Sequence, residues 1–231
     1  MIEIKKLFFS YENKDILKNI SLTVKEHDFL AIVGHNGSGK TTLIKHLNGL
    51  LTPSRGDVAV DGKDTKKGDF SIRKNVGMVF QNPEDQLVYS VVEEDVAFGL
   101  ENFGVPQQEM KLRVKRILKE LGISHLAHSN VNELSYGQKQ LVAIAGVLVL
   151  EPKYLVLDEP TTNLDPKNKK NILSTVKKLH KKGLTIILIT NVLEDISLAT
   201  RVAVLSQGKL IWQGEGNRVP EEILKRANLN G

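Results

Sequence analysis

Short apolar runs without polar alternation mark the last third of the chain. Residues 154–157 (Tyr-Leu-Val-Leu) and 185–189 (Thr-Ile-Ile-Leu-Ile) carry mainly β-branched and large apolar side chains, as is typical of strands that are buried on both faces. Between them, apolar residues recur at helical spacing from Ile172 to Leu179, after the pair Asp165-Pro166, which is typical of a helix start with Asp165 as N-cap. Strand, helix and strand in this order predict a parallel sheet with right-handed crossovers.

The first 80 residues contain short apolar segments, some of which alternate with polar positions. Residues 2–4 and 20–24 alternate apolar and polar positions with the period of a strand, and residues 76–80 (Val-Gly-Met-Val-Phe) form another apolar run. Turn-forming residues at 53–56 and the pair Asp61-Gly62 separate these runs. We therefore expect an antiparallel β subdomain that covers approximately residues 1–30 and 53–80.

The middle of the chain has the periodicity of helices. Apolar residues from Met110 to Leu121 fall on one helical face, with Pro106 before them and Gly122 after them. The longest wholly apolar run, residues 141–150, is too short to cross a bilayer. We expect a helical subdomain over approximately residues 84–150, inside one α/β domain that spans residues 1–231.

One segment adds a specific chemistry to this pattern. Residues 34–41 (Gly-His-Asn-Gly-Ser-Gly-Lys-Thr) fit the phosphate-binding loop G-x-x-x-x-G-K-[ST], between the apolar run 29–33 and a helix predicted over residues 42–50. Glycines let backbone N–H groups turn inward around phosphate oxygens, and the helix N-terminus faces the anion. In such a loop Lys40 contacts the β- and γ-phosphates, and Thr41 is a ligand of Mg²⁺. The predicted phosphate-binding residues are Gly34, Asn36, Gly37, Ser38, Gly39, Lys40, Thr41 and Thr42.

Two carboxylates follow the apolar run 154–157. Asp158 and Glu159 come at the carboxyl end of a predicted buried strand, the edge at which open α/β sheets bind their ligands. Asp158 can hold Mg²⁺ directly or through water, and Glu159 can orient a water for in-line attack on the γ-phosphate. The sequence thus predicts a nucleoside triphosphatase with a mostly parallel core sheet.

The order of the remaining motifs resembles that of the ATP-binding-cassette (ABC) ATPases. Residues 134–138 (Leu-Ser-Tyr-Gly-Gln) resemble the signature LSGGQ, and residues 163–165 (Asn-Leu-Asp) resemble the D-loop, which includes Asp165. Gln81 follows an apolar run as the Q-loop glutamine does, and Tyr11 stands where the family stacks an aromatic ring on adenine. The resemblance covers nearly the whole chain and implies a P-loop NTPase (RecA-like) core, with ATP bound and Mg²⁺ held by Thr41, Gln81 and Asp158.

The resemblance also implies that one chain carries two halves of different sites. In this family the signature, here Leu134, Ser135, Tyr136, Gly137 and Gln138, faces the γ-phosphate of a neighbouring subunit. ATP is then held between two cassettes arranged head to tail. We therefore expect a second ABC ATPase as partner, either a copy of this chain or a homologue. Ser135 is well placed to cap the helix that follows it.

Two positions depart from the family pattern. Tyr136 replaces the first of the two signature glycines and adds bulk near the partner's nucleotide. Asn191 stands where the family places a histidine that reaches the γ-phosphate. Asparagine donates a hydrogen bond but carries neither a proton to transfer nor a charge near neutral pH. We group Asn191 with the catalytic residues Glu159 and Gln81, and we expect slower hydrolysis at the site built on this phosphate loop.

Two stretches narrow the resemblance further. Residues 80–87 (Phe-Gln-Asn-Pro-Glu-Asp-Gln-Leu) and 92–99 (Val-Glu-Glu-Asp-Val-Ala-Phe-Gly) resemble the ATPases of energy-coupling-factor importers, including the cobalt and nickel type. That resemblance implies a membrane-embedded coupling subunit that docks beside Gln81, and a separate substrate-binding membrane subunit for vitamins or transition-metal ions. It places the chain peripherally at the cytoplasmic face of the cell membrane.

Other functions stay open at this point. The alternatives are an exporter ATPase, a cassette ATPase that acts on nucleic acid or ribosomes, and a non-hydrolysing structural module. The presence of Glu159 argues against a non-hydrolysing structural module. Cassettes of the nucleic-acid type usually carry long coiled-coil insertions or two cassettes per chain, and this chain has neither.

Composition agrees with the cytoplasmic interpretation. The chain has no cysteine, which excludes disulfides and thiolate metal sites, and no leader pattern opens it. The net charge is +5, but the lysines are dispersed and no aromatic residues interleave with them. We therefore expect no nucleic-acid partner.

Overall fold

Ten strands form two separate sheets in the computed structural model, which describes residues 1–12 and 14–227. The strands are β1 (Ile2–Tyr11), β2 (Lys14–Val24), β3 (Phe29–Val33), β4 (Arg55–Val60), β5 (Lys63–Asp64), β6 (Val76–Val79), β7 (Tyr154–Asp158), β8 (Thr185–Thr190), β9 (Arg201–Ser206) and β10 (Lys209–Glu215). The helices are α1 (Lys40–Lys45), α2 (Phe70–Asn75), α3 (Val92–Asn102), α4 (Gln107–Glu120), α5 (Tyr136–Leu148), α6 (Pro166–Lys181), α7 (Leu193–Ile196) and α8 (Glu221–Arg226). This arrangement confirms the predicted α/β class.

The core sheet has the strand order β10-β9-β3-β8-β7-β6. Strands β9, β3, β8, β7 and β6 pair in parallel, and β10 pairs antiparallel with β9. In the register of this sheet, Val33 is opposite Thr190 and Asp158 is opposite Ile189. Strands β3, β7 and β8 therefore end at one edge, which brings the residues that follow each of them together.

Strands β3, β6, β7 and β8 are buried at every position because both faces of the sheet are covered. Leu155, Leu157 and Leu188 pack on one side with the apolar faces of the helices. Val156 and Ile187 pack on the other side with the antiparallel sheet and α1. A strand covered on both sides has no solvent face, so its sequence shows no alternation.

The second sheet, of order β2-β1-β4-β5, is antiparallel, as predicted. One prediction about it is wrong, because the strand predicted over residues 76–80 does not belong to it. Strand β6 pairs in parallel with β7, and Val76 is opposite Tyr154. All four residues of β6 are buried. Such a strand needs cover on two faces: Val79 packs with the helices, and Val76 and Met78 pack on the side of the antiparallel sheet.

The helices agree with the predicted pattern, but α1 ends earlier than predicted. Helix α4 buries Val114, Ile117 and Leu118, and α6 begins after its N-cap Asp165. The helix predicted over residues 42–50 is instead α1, which ends at Lys45. After Lys45 the backbone forms tighter hydrogen bonds, from residue i to residue i−3, and Gly49 has a left-handed backbone conformation (φ 72°). Both features end the helix early. Over the described residues, no helix combines the length and the apolar character that crossing a bilayer requires.

Candidate nucleotide-binding site

The phosphate loop connects β3 to α1 and is shaped by its glycines. Gly39 has φ 103°, a conformation that side-chain-bearing residues rarely adopt. Gly34 lies against β9, where an added Cβ would be only 2.1 Å from the Leu205 carbonyl oxygen. The loop thus needs glycine at Gly39 for its turn and at Gly34 for close packing.

The turn between β9 and β10 contacts and supports this loop, although no sequence motif predicted this contact. The backbone N–H of Gly208 donates to the Ser38 carbonyl at 3.0 Å, and the Gly208 carbonyl accepts from Lys18 at 2.8 Å. The turn therefore ties the antiparallel sheet to the phosphate loop. The Ser38 hydroxyl is buried and has no hydrogen-bond partner in the protein, which leaves it available to a phosphate oxygen.

Lys40 lies inside the site with its side chain only 5% exposed. Its Nζ donates to the carbonyl oxygens of Gly34 (2.8 Å) and His35 (3.2 Å) and lies 3.4 Å from Oε1 of Glu159. A buried ammonium group needs such partners to offset its lost hydration. The cation is thus held beside the predicted catalytic carboxylate.

Asp158, the last residue of β7, is 3% exposed, and its Oδ1 has no hydrogen-bond partner in the protein. Burial raises the pKa of its carboxyl group, and a hydrogen bond from Thr41 partly offsets that rise. A carboxylate and a hydroxyl side by side are oxygen ligands of the kind that Mg²⁺ prefers. The orphaned oxygen of Asp158 therefore fits a metal ligand.

Glu159 has a strained backbone that aims its side chain along the sheet edge. Its φ of 45° is in the left-handed region, and its N–H donates to the Ile189 carbonyl at 2.9 Å. The carboxylate oxygen Oε2 accepts from Gln81 Nε2 and from the Thr162 hydroxyl, each at 3.3 Å. Strain of this kind is often found at functional sites, and here it places the carboxylate between Gln81 and Lys40.

Lys40, Gln81 and Glu159 border a cleft of ≈ 670 Å³. Of the sequence-predicted residues it is lined by Asn36, Gly37, Gly39, Lys40, Thr41, Thr42, Gln81 and Glu159. Other lining residues were missed by the sequence analysis, namely Lys14, Asp15, Ile16, Lys18, Gln207 and Gly208. They come from the start of β2 and from the turn between β9 and β10, which carry no motif, so only the tertiary fold reveals them.

Tyr11 does not line this cleft. Its side chain is 47% exposed and packs edge-on against Phe9, with 4.8 Å between ring centroids. Its role in stacking on adenine stays a prediction.

Asn191 lies beside the phosphate loop, as its place after β8 predicts. Its Nδ2 donates to Oδ1 of Asn36 at 3.3 Å. Asn36 lines the cleft, so the side chain of Asn191 is within reach of groups bound there.

The signature residues lie at the start of α5, and none of them lines the cleft of their own chain. Ser135 caps α5 in a capping box: its hydroxyl accepts from the N–H of Gln138, and the Gln138 side chain accepts from the N–H of Ser135. Gly137 is buried, and an added Cβ would lie 2.8 Å from Cγ of Asn168. Leu134 is also buried. The cap at Ser135 was predicted, and the reciprocal role of Gln138 was not.

Asp165 carries out the N-cap role predicted for it. Its Oδ1 accepts from the backbone N–H groups of Lys167 (2.9 Å) and Asn168 (3.0 Å). The hydrogen bonds from Asn168 contribute most to lowering the pKa of the Asp165 carboxyl group. A D-loop role for Asp165 is not tested by this geometry and stays a prediction.

Comparison with known proteins supports the same interpretation. Residues 17–162 match the ABC transporter family. The energy-coupling factor transporter ATP-binding protein EcfA1 of Clostridium novyi (strain NT) is 44% identical over 99% of this chain and 83% of its own length. The cobalt import ATP-binding protein CbiO of Syntrophus aciditrophicus (strain SB) is 45% identical over 99% of this chain and 81% of its own.

Two solved structures share the fold. CbiO1 of Clostridium perfringens, part of the ABC transporter complex CbiONQ, superposes with a TM-score of 0.87 at 38% identity, over 99% of this chain and 94% of that one. A dimeric ATP-binding cassette in a post-hydrolysis state with ADP and Pi superposes with a TM-score of 0.82 at 28% identity, over 93% of this chain and 98% of that one. Because the family match spans more than half of the chain and the relatives align with nearly all of it, this protein belongs to the ABC transporter family and is one of its ATPases.

Proposed function

We propose that this chain is the ATP-binding and ATP-hydrolysing subunit of an energy-coupling-factor importer. The observation that carries the proposal is the convergence of Lys40, Asp158 and Glu159 at one sheet edge. The relatives named as energy-coupling-factor and cobalt-import ATPases support the transport assignment.

ATP binding uses groups that are already in place. The glycine-rich loop offers backbone N–H groups to the phosphates, and the buried Ser38 hydroxyl adds a donor without a competing partner. Lys40 exchanges its contacts with Gly34 and His35 for phosphate oxygens. Tyr11, at the end of β1, is the side chain that we assign to the adenine ring.

Thr41, Gln81 and Asp158 are the residues that would hold Mg²⁺. When bound, the ion neutralises charge on the phosphate oxygens. Asp158 supplies the buried oxygen that has no other partner.

Glu159 is the residue that we assign to water activation. Gln81 and Thr162 donate to the same oxygen, Oε2, and so fix the direction of the carboxylate. A fixed carboxylate can accept a proton from a water placed in line with the γ-phosphate.

The complete site needs a second cassette, either a copy of this chain or a homologue. The signature residues Ser135 and Gly137 do not reach the cleft of their own chain, which supports a role at the nucleotide of the opposite subunit, with Asp165 in the D-loop between the two. The two cassettes then close over ATP and reopen after hydrolysis, and this conformational cycle is what the protein contributes to transport.

The segment after Gln81 is the surface that we assign to the membrane-embedded coupling subunit. Val88 and Tyr89, between the two stretches that resemble energy-coupling-factor ATPases, are 60% and 40% exposed. Exposed apolar side chains at one site favour a protein contact there. The chain then sits peripherally at the cytoplasmic face of the membrane, and a separate membrane subunit selects the vitamin or transition-metal ion.

The test is purification of the tagged chain from detergent-solubilised native membranes, followed by identification of the subunits and assay of ATP turnover. We expect two membrane subunits and a second ATPase in the complex. Glu159→Gln should keep ATP binding and lower turnover by roughly 10²–10⁴-fold, the scale of a lost general base. Glu120→Gln, which changes an acid paired with Lys182, is the matched control. Full turnover in Glu159→Gln, or a complex with ribosomes or nucleic acid instead of membrane subunits, would contradict the proposal.

A further inference from the structure

Tyr136, the first residue of α5, contacts the Q-loop of its own chain. Its hydroxyl donates to the carbonyl oxygen of Gln81 at 3.0 Å. One turn further along, Lys139 forms an ion pair with Glu84. The first turn of α5 is thus attached at two points to residues 81–84.

The other end of Gln81 faces the catalytic carboxylate. Its Nε2 is 3.3 Å from Oε2 of Glu159, whose Oε1 is 3.4 Å from Nζ of Lys40. An unbroken series of contacts therefore runs inside one chain from the Tyr136 hydroxyl to the phosphate-loop lysine.

We propose that Tyr136 is a positioning residue for the nucleotide site of its own chain. Its hydroxyl fixes the backbone of Gln81, and this holds the Gln81 amide against Glu159. The inference rests on the proposed function and adds an in-chain role to a segment otherwise assigned to the opposite subunit's ATP. A glycine at position 136, as in the signature LSGGQ, has no side chain to make this contact.

The first test separates turnover from binding in the assembled complex. Tyr136→Phe removes only the hydroxyl, so we expect kcat to fall about 3–10-fold, the scale of one lost hydrogen bond, with KM for ATP changed less than about twofold because the phosphate loop is untouched. Tyr136→Gly should lower kcat at least as far. The control Ser71→Ala loses one exposed hydrogen bond, from Lys63, and should leave kcat unchanged. Unchanged kcat in Tyr136→Phe, or a loss explained by a lower melting temperature, would overturn the inference.

The second test places the effect in one subunit. In one mixed complex, this chain carries Tyr136→Phe and the second ATPase lacks its own catalytic glutamate. In the other, this chain carries both Tyr136→Phe and Glu159→Gln, and the second ATPase is unchanged. An in-chain role predicts slower turnover in the first complex only, relative to the same complexes with Tyr136 intact. Slower turnover in the second complex only would show that Tyr136 acts on the opposite subunit and would overturn the inference.

Hydrogen exchange gives a readout that does not depend on hydrolysis. In the nucleotide-free chain, the amides of residues 82–87 should exchange faster in Tyr136→Phe than in the unsubstituted protein, and equal rates would contradict the inference. If turnover survives loss of the catalytic glutamate in both ATPase subunits, the proposed function itself fails. If turnover needs Glu159 but ignores Tyr136, only this inference fails.

Discussion

We propose that Asn191 limits the rate of hydrolysis at the site built on this phosphate loop. It follows β8 directly and donates to Asn36 in the phosphate loop at 3.3 Å. Its amide is neutral, so it can orient a neighbouring group but cannot add positive charge. A histidine at this position can take up a proton and make a charge-assisted hydrogen bond to an anionic oxygen.

We therefore expect Asn191→His to raise ATP turnover, by roughly 10–100-fold if the new hydrogen bond is charge-assisted. The measurement is steady-state ATPase activity of the complex before and after the substitution. Asn191→Gln, which keeps a neutral amide, is the matched control and should not raise turnover. Equal turnover for all three proteins would contradict the role assigned to this position.

The backbone of Glu159 is strained. A left-handed conformation costs a side-chain-bearing residue about 1–2 kcal/mol, and the φ of Glu159 is 45°. The hydrogen bond from its N–H to Ile189 offsets part of that cost. In return the carboxylate points to Gln81 and Lys40 instead of continuing the direction of β7.

At the scale of elements, the turn between β9 and β10 shapes the site more than its sequence suggests. Gly208 has φ 76°, and an added Cβ would lie 2.0 Å from the Ile16 carbonyl oxygen. Its N–H supports Ser38 in the phosphate loop. A shift of this turn would therefore move the loop that binds the phosphates.

Gly208→Ala should weaken ATP binding and also destabilise the fold. The control is Gly62→Ala, in the turn between β4 and β5: Gly62 has φ 79° but no atom within 4 Å of an added Cβ. Both substitutions incur the cost of left-handed alanine, about 1 kcal/mol, but only Gly208→Ala also forces the backbone apart. The measurements are thermal melting and the Kd for ATP. An equal Kd in the two variants would contradict the bracing role of the turn.

At the scale of the whole molecule, the cleft and the signature of one chain are separate surfaces. Ser135 and Tyr136 lie at the N-terminal end of α5, while the cleft is formed around Lys40 and Glu159. Under the proposed function, we expect this chain to complete a nucleotide site only when a second cassette presents its own signature.

We expect small-angle scattering to show a two-cassette particle when the chain, with its native second ATPase, is saturated with Mg²⁺ and a nonhydrolysable ATP analogue. Lys40→Ala, which lacks the phosphate-loop cation, should stay monomeric under the same conditions and is the control. A monomer at saturation with the unsubstituted chain would remove the basis for a shared site.

Much of the site was accessible from the sequence because its chemistry is local. The loop at residues 34–41 needs only neighbouring residues to form its turn, and Asp158-Glu159 follow a strand whose burial is visible in its apolar run. The cap at Ser135 and the helix start at Asp165 depend on a few consecutive residues, and the structure confirms both. The end of α1 was not predicted correctly, because the backbone after Lys45 changes to tighter i to i−3 hydrogen bonds.

Tertiary structure alone decided which strands share a sheet and which distant turns meet. In the sequence, strand β6 is one short apolar run among several. Only its pairing with β7 places Gln81 next to Glu159. The support of Ser38 by Gly208 and the contact of Tyr136 with Gln81 join segments far apart in the chain. The sequence by itself determined the class of chemistry, because phosphate binding is encoded in consecutive residues. The fold determined how Gln81, Glu159 and Tyr136 act on one another, because that depends on distances across the packed core.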